Sequence, residues 1–281
     1  MKFTKMQGIG NDYIYVNGFT EKFDDHPGMA VKLSDRHFGI GSDGLIIINP
    51  SDKADFEMEM YNADGSRAEM CGNGIRCVGK FVYDKGLTDK TEITVDTLAG
   101  VKKLTLFPEN SLVKSITVDM GEPILKAGDI PVKIPGIPDD TAPVKALPIE
   151  IKEKEYRMTC VSMGNPHCIV FVPEDPADLN LESTGPDFES HPYFPNKINT
   201  EFIYVKDRTH LVMRVWERGS GETFACGTGA CASLVAAVLN DLSEREVDIR
   251  LLGGDLHIKW DADDSHVYMT GPAVTVFEGT I

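Results

Sequence analysis

The sequence has few basic residues for its length. Its 281 residues include 28 Lys and Arg against 44 Asp and Glu, which gives a formal net charge of −16 at pH 7. Nucleic acids and anionic membrane surfaces bind clustered Lys and Arg, so this balance argues against either as a partner. An anionic small molecule is compatible with it, because a single arginine or helix N-terminus can bind such a ligand.

Long apolar runs are also missing. Residues 45–48 and 168–172 have the length of strands, far short of the roughly 20 residues of a membrane span. Residues 1–8 lack the apolar core of a signal peptide. Six cysteines in a chain of this length, without a secretory signal, are typical of reduced thiols. We therefore expect a globular protein of the cytoplasm.

Two related cysteine motifs stand out. Residues 69–80 read EMCGNGIRCVGK, and residues 224–232 read FACGTGACA. In each, a cysteine (Cys71 or Cys226) precedes Gly-x-Gly and a segment with helical periodicity. A thiol just before a helix lies at the positive end of the helix dipole, which lowers its pKa. The first helical turn also has free N–H groups. The motifs therefore predict two reactive thiols, each beside a backbone binding site for a carboxylate.

Landmarks around the two motifs recur at one spacing. The cysteines are separated by 226 − 71 = 155 residues. The same or nearly the same spacing separates residues 58–62 from 213–217, Asn11 from Asn165, and Gly44 from Asn199. This register predicts an internal duplication. The alternative is a pair of unrelated glycine-rich turns.

Alternating apolar residues and turn signals predict many strands and few helices. In the first half we expect strands at 3–16, 45–48, 56–61, 92–95, 101–107 and 115–119, and helices at 26–38 and from the Cys71 turn to 83. In the second half we expect strands at 156–162, 167–172, 200–205, 210–217, 248–252, 256–260, 267–269 and 273–277. The helix after Cys226 is apolar almost all round and is expected to be buried. Residues 123–155 favour a crossover loop over a core, and a loop-rich insert is expected up to 197.

The predicted fold is mixed α/β (α+β) with two pseudo-symmetric domains. Each domain is expected to be a strand-rich, barrel-like sheet around a central helix, with the active site in the cleft between them. Residues 1–122 with 270–281 form the first domain, and residues 123–269 form the second.

Two such thiols can invert a carbon stereocentre. One cysteine as thiolate removes a proton from one face of the carbon, and the other as thiol delivers a proton to the opposite face. N–H groups of Gly72, Asn73, Gly227 and Thr228 would hold the substrate carboxylate and stabilise the carbanion. This chemistry requires no cofactor.

Other polar residues near the motifs suggest what is bound. Four asparagines lie at the ends of apolar strands: Asn11, Asn62, Asn165 and Asn199. Singly they are typical of turns, but their shared register with the cysteines favours substrate binding. Glu217 and Arg218 match an ammonium and a carboxylate, or form a solvated ion pair. His167 could tune a thiol or bind backbone.

Cysteine is most often a buried, inert residue, and this alternative applies to the whole set. We assign it to the four cysteines within predicted helices and strands: Cys77, Cys160, Cys168 and Cys231. No metal site is expected, since the sequence has neither Cys-x2-Cys nor finger spacing.

These motifs together resemble those of the diaminopimelate epimerases. They are residues 11–13 (NDY), 61–66 (YNADGS), 70–77 (MCGNGIRC), 164–167 (GNPH), 217–223 (ERGSGET) and 225–229 (ACGTG). The resemblance spans essentially the whole chain. It implies a PLP-independent, cofactor-independent interconversion of LL- and meso-2,6-diaminopimelate, serving lysine and peptidoglycan biosynthesis. It also implies two pseudo-symmetric α/β domains and a homodimer.

The resemblance also implies roles for individual residues. Cys71 and Cys226 match the acid/base pair. The substrate ligands match Asn11, Asn62, Asn165, Asn199, Glu217 and Arg218, with Gly72, Asn73, Gly227 and Thr228 contributing backbone N–H groups. His167 and Glu217 match positions that adjust the thiol pKa. The chain departs from the pattern at Gly44, where some members carry a binding glutamine.

Two other functions stay open. Proline racemases and hydroxyproline epimerases share the two-cysteine arrangement, but they typically carry histidine where this chain has Asn73. A thiol redox or metal-binding protein would use Cys71 and Cys226 as a disulfide or as zinc ligands instead.

Overall fold

The structure, a computed structural model, describes residues 1–281. Its elements, in chain order, are β1 (Lys2–Gly8), β2 (Asn11–Asn17), α1 (His26–Ser34), β3 (Gly44–Asn49), β4 (Phe56–Asn62), α2 (Gly72–Asp84), β5 (Glu92–Asp96), β6 (Lys102–Glu109), β7 (Leu112–Asp119), β8 (Val144–Ile151), β9 (Lys154–Ser162), β10 (Pro166–Val172), a 3-10 turn (Pro176–Asp178), α3 (Leu181–Glu189), β11 (Asn199–Asp207), β12 (His210–Glu217), β13 (Gly221–Glu222), α4 (Gly227–Leu239), β14 (Glu246–Leu251), β15 (Gly254–Trp260), β16 (Val267–Pro272) and β17 (Val274–Thr280). This strand-rich mixture confirms the predicted α/β class. No helix has both the length and the apolar character needed to cross a membrane.

The chain forms two compact units. Unit 1 contains Met1–Asp119 and Thr270–Ile281, and unit 2 contains Met120–Met269. The last strand belongs to unit 1 because β17 pairs antiparallel with β1, from Lys2 opposite Thr280 to Gln7 opposite Val274.

Unit 1 packs its sheet against α2. The pairings run β1–β2 antiparallel, β2–β3 parallel, β3–β4 antiparallel, β4–β5 parallel and β5–β6–β7 antiparallel. Helix α2 is buried from Gly72 to Val82. It approaches β6 closely at Gly79, where a Cβ would lie 2.8 Å from Leu106 Cδ2. The absent side chain thus lets the helix pack near the sheet.

Unit 2 repeats this succession of pairings around α4. From β9 onward the pairings are β9–β10 antiparallel, β10–β11 parallel, β11–β12 antiparallel, β12–β14 parallel and β14–β15 antiparallel. The apolar helix α4 is buried over most of its length, as its composition predicts. Each cysteine turn therefore leads into the buried helix of its own unit.

Two stretches differ from the sequence-based expectations. Residues 123–155 are not merely a crossover loop, because Ala127, Ile130 and Val132 lie in the hydrophobic core of unit 2 and β8 pairs with β9. The insert before residue 197 contains α3, whose Phe188 is fully buried. In both stretches prolines and polar residues surround isolated apolar side chains, so neither helical nor strand periodicity develops.

Two element boundaries were also wrong. Residues 3–16 form two strands, since the chain turns at Ile9 and Gly10, which have φ of 46° and 92°. Helix α1 ends at Ser34 rather than near residue 38. Directly after it, the Asp35 side chain accepts hydrogen bonds from the backbone N–H groups of His37 and Phe38. Such local side-chain hydrogen bonds compete with helix continuation.

Candidate active site

Cys71 lies at the start of α2 with its sulfur facing the first helical turn. The residue is the N-cap of the helix, in an extended conformation, and its Sγ accepts the backbone N–H of Gly74 at 3.4 Å. Its thiol donates to Asn11 Oδ1 at 3.1 Å. The structure thus brings together two residues that the sequence placed 60 positions apart.

The orientation of the Asn11 side chain is set by a carboxylate that sequence reasoning missed. Asn11 Nδ2 donates to Asp43 Oδ2 at 2.8 Å, and the backbone N–H of Asp12 donates to the same oxygen at 3.0 Å. Arg36 Nη2 donates to the other Asp43 oxygen at 2.8 Å. Because an ionised carboxylate only accepts hydrogen bonds, Asp43 holds the amide nitrogen and leaves Asn11 Oδ1 facing Cys71.

The backbone of the α2 turn is held by a buried arginine. Arg76 has no exposed surface; its Nη2 donates to Asn73 Oδ1 at 2.9 Å and its Nη1 donates to Gly72 O at 3.1 Å. The Asn73 side chain is therefore engaged inside the unit. That the backbone N–H groups of Gly72 and Asn73 bind substrate stays a prediction.

Asn62 lies at the end of β4 in a polar turn. Its Nδ2 donates to Ser66 Oγ at 3.0 Å, and its backbone N–H donates to Ser66 O at 2.9 Å. Gly44 of β3 pairs with Asn62, and a Cβ at Gly44 would lie only 2.1 Å from Tyr61 O. The position where some family members carry glutamine thus has no room for a side chain in this backbone conformation.

Cys226 occupies the equivalent position at the start of α4, but its surroundings differ. The residue is 5% exposed, and its Sγ lies 3.5 Å from Thr228 Oγ1. Burial, followed by the charges of Glu217 and Glu201, raises the thiol pKa well above its ordinary value. The expectation that the helix dipole lowers this pKa is therefore wrong for Cys226, since desolvation and two carboxylates outweigh the helix end.

Glu217 faces this thiol from the end of β12. It accepts a hydrogen bond from the Thr223 hydroxyl, and it lies beside the Cys226 thiol. Burial raises the pKa of the Glu217 carboxyl, while Thr223 and the nearby His167 act in the opposite direction. Glu217 therefore lies beside the Cys226 thiol within unit 2, and its part in adjusting the pKa of that thiol stays a prediction.

His167 lies between an amide and a second unpredicted carboxylate. Its Nδ1 lies 2.7 Å from Glu201 Oε1, and its Nε2 lies 3.1 Å from Asn165 Oδ1. The side chains of His167 and Glu201 have no exposed surface. The signal for Glu201 in the sequence is a charged residue directly before the apolar run at 202–205.

Asn199 and Arg218 meet at the end of β12. Asn199 Nδ2 donates to Pro166 O at 3.1 Å, and Asn199 Oδ1 accepts the backbone N–H of Arg218 at 2.9 Å. Arg218 Nη1 donates to Asn196 O at 3.3 Å, and the rest of this side chain is exposed. In this structure Asn199 joins two strand ends, and its part in substrate binding stays a prediction.

The four remaining cysteines are fully buried, as predicted: Cys77, Cys160, Cys168 and Cys231. Burial raises the pKa of Cys77 to about 11. It also raises that of Cys168, whose partner across the β9–β10 pair is Cys160. These environments suit packing rather than nucleophilic or acid/base chemistry.

A family model and two close relatives of this chain all have the same functional description. A family model for diaminopimelate epimerase matches residues 3–126 and 159–276. A diaminopimelate epimerase of Acetivibrio thermocellus is 58% identical over 281 residues, covering 100% of this chain and 98% of the relative. One of Methanococcus maripaludis is 57% identical, covering 100% of this chain and 99% of the relative.

Solved structures of other proteins have the same fold. A phenazine biosynthesis protein of the PhzF family from Bacillus anthracis has a TM-score of 0.72 at 17% identity, covering 100% of this chain and 98% of that one. A hydroxyproline epimerase from Agrobacterium vitis has a TM-score of 0.66 at 15% identity, covering 100% and 90% respectively.

Proposed function

The chain belongs to the diaminopimelate epimerase family, and on this premise we propose that it interconverts LL- and meso-2,6-diaminopimelate without PLP or another cofactor. The protein is an isomerase that acts on an amino-acid stereocentre in lysine and peptidoglycan biosynthesis. The observation that carries the proposal is the repeated arrangement of Cys71 and Cys226, each the N-cap residue of a buried helix that begins with Gly-x-Gly.

In the proposed mechanism the two sulfurs reach one α carbon from opposite faces. One cysteine as thiolate takes the α proton, and the other as thiol gives its proton to the opposite face. The roles exchange for the reverse reaction. Backbone N–H groups of Gly72 and Asn73, and of Gly227 and Thr228, hold the α carboxylate and stabilise the negative charge that develops on it.

The residues around each thiol have distinct proposed tasks. In unit 1, Asn11 orients the Cys71 thiol through the contact with its Oδ1. In unit 2, Glu217 adjusts the protonation of Cys226, beside which it lies, and His167 acts through the nearby Glu217 and Glu201 carboxylates. The remaining ligands of the proposed substrate set are Asn62, Asn165, Asn199 and Arg218.

The two domains, residues 1–122 with 270–281 and residues 123–269, are proposed to bind the substrate between them in the cytoplasm. We further propose a homodimer and no nucleic-acid or membrane partner. The homodimer is supported by exposed apolar side chains on β17, at Val274, Val276 and Phe277. An exposed apolar strand of this kind favours association with a second protein surface.

The proposal is tested by incubating reduced protein with LL-diaminopimelate alone and resolving the isomers by chiral chromatography. Loss of one general acid or base lowers turnover by about 10²–10⁴-fold, so Cys71→Ala and Cys226→Ala should each do so. Cys231→Ala, a buried cysteine further along α4, is the matched control and should retain activity. Turnover of L-proline or trans-4-hydroxy-L-proline instead of diaminopimelate would reject the proposed substrate.

A further inference from the structure

Three metal-ligating side chains meet in unit 2 although they are far apart in the sequence. They are His167 on β10, Glu201 on β11 and Cys226 at the start of α4, and one ligand atom of each lies within 4.8 Å of the others. Strands β10 and β11 are parallel, with Ile169 opposite Glu201, so His167 and Glu201 lie two residues apart on one face. All three residues are buried.

One carboxylate oxygen of this cluster lacks a hydrogen-bond partner. Glu201 Oε1 contacts His167, but Glu201 Oε2 is buried without a hydrogen-bond partner. An unpaired carboxylate oxygen inside a protein is unfavourable, and a cation removes that cost by binding it. A divalent ion bound by one thiolate, one carboxylate and one neutral imidazole would be electrically neutral.

We infer that His167, Glu201 and Cys226 form a binding site for Zn²⁺ that inhibits the enzyme. Sulfur, nitrogen and oxygen donors together select Zn²⁺ over Mg²⁺ or Ca²⁺, which prefer oxygen alone. Ligands around a tetrahedral zinc ion lie about 3.3–3.7 Å apart at its usual bond lengths. The ligand atoms lie within 4.8 Å of one another, so the three side chains have to adjust to reach this spacing, and a fourth coordination position would stay free for water.

Binding converts the Cys226 thiol to a metal thiolate. A Zn–S bond forms, the S–H bond breaks, and the proton goes to the buffer without any change in oxidation state. If the proposed function holds, Cys226 can then neither accept nor deliver the substrate proton. Zinc should therefore inhibit reversibly, and a chelator should restore turnover.

The other cysteine turn does not offer the same donors. Cys71 contacts the amide oxygen of Asn11 and the backbone N–H of Gly74, neither of which is a good zinc ligand. The asymmetry predicts one zinc site per chain, at Cys226 only. It also gives a matched control, because the two thiols occupy equivalent positions at the start of their helices.

Co²⁺ titration of the reduced, chelator-treated full chain tests this site independently of turnover. We expect about one equivalent to bind with a thiolate-to-cobalt charge-transfer absorption, which added Zn²⁺ removes. Cys226→Ala should lose this absorption and Cys71→Ala should retain it. Glu201→Gln, checked for folding by circular dichroism, should weaken binding at least about tenfold.

The outcomes separate this inference from the proposed function. Absence of the charge-transfer band in the wild-type chain, or its persistence in Cys226→Ala, would overturn the zinc site. A band with the expected dependence on Cys226 in a chain that epimerises no diaminopimelate would support the site and reject the function. Loss of the band in Cys71→Ala would also overturn the inference, because it would place the metal at Cys71.

Discussion

Asn11 Oδ1 lies 3.1 Å from Cys71 Sγ, and it does so because the nitrogen of the same amide is held by Asp43. Asp43 is itself bound by the exposed Arg36. A chain of hydrogen bonds, charge-assisted at Asp43, therefore runs from the surface to the thiol. In this arrangement Asp43 positions Asn11, and Asn11 directs the thiol proton.

Replacing Asp43 with asparagine should disturb Cys71 without unfolding the protein. The new amide brings an NH2 group toward Asn11 Nδ2 or Arg36, so one donor faces another and the Asn11 amide can turn over. Hydrogen bonds to charged groups contribute about 1.5–3 kcal/mol, which corresponds to a loss of about 10–100-fold in kcat/KM. The measurement is kcat/KM together with the alkylation rate of Cys71.

Asp255→Asn is the matched control for this substitution. Asp255 also accepts hydrogen bonds from an arginine, Arg250, but on the exposed β14–β15 hairpin. Both variants should remain folded at the assay temperature, and only Asp43→Asn should lose turnover. Equal kinetics for the two variants would remove Asp43 from the account.

The cysteines of α2 should differ in reactivity across the pH range. Cys77 is fully buried and burial raises its pKa to about 11, so at about pH 8 only about one thiol in a thousand is ionised. Iodoacetamide should therefore modify the half-buried Cys71 in native protein and leave Cys77 intact, with both modified in concentrated urea. Peptide mapping by mass spectrometry gives the two rates, and native labelling of Cys77 at the rate of Cys71 would contradict the burial argument.

The same shift has a consequence for stability. Burial raises the folded pKa of Cys77 above the unfolded value of about 8.5. The stability that the protonated thiol contributes to the folded state is therefore fully present below about pH 8.5. It is lost as the pH rises toward about 11. The free energy of unfolding should accordingly fall in this alkaline window, and less so in Cys77→Ala.

Gly44 should not tolerate any side chain. A Cβ there would lie 2.1 Å from the backbone oxygen of Tyr61, which cannot move without disturbing the β3–β4 pair. Overpacking of this kind costs about 1–3 kcal/mol, so Gly44→Ala should lower the urea midpoint at an unchanged m value. A variant as stable as wild type would show that the strand pair adjusts, which would make room for a side chain here.

Much of the fold follows from local patterns in the sequence. The all-round apolar character of α4 predicts its burial, and the Gly-x-Gly motifs place the starts of α2 and α4. Strand β8 and helix α3 were missed because their apolar residues are interrupted by prolines and charges. Their formation depends on packing against the core of unit 2, which periodicity does not report.

The chemistry of the candidate site was less accessible to sequence reasoning. Asp43 and Glu201 act through contacts with residues distant in the chain, so spacing alone cannot pair them with Asn11 or His167. The helix-end argument also gives the wrong direction for the pKa of Cys226, because it includes the dipole but neither burial nor the nearby carboxylates. Motif reading thus finds the thiols, and the structure is needed to describe their environments.

The central claim is that two different thiols act on opposite faces of one carbon. The most direct test is proton NMR and mass spectrometry of the epimerisation of LL-diaminopimelate in D2O, sampled at low conversion. The account predicts that the newly formed meso isomer carries deuterium at the inverted carbon while the remaining LL isomer still carries protium. This pattern arises because the delivering thiol has exchanged with solvent, whereas the thiol that abstracts the proton can return it to the substrate. A meso product that retains protium would show one group moving the same proton between faces, and would contradict the two-thiol mechanism.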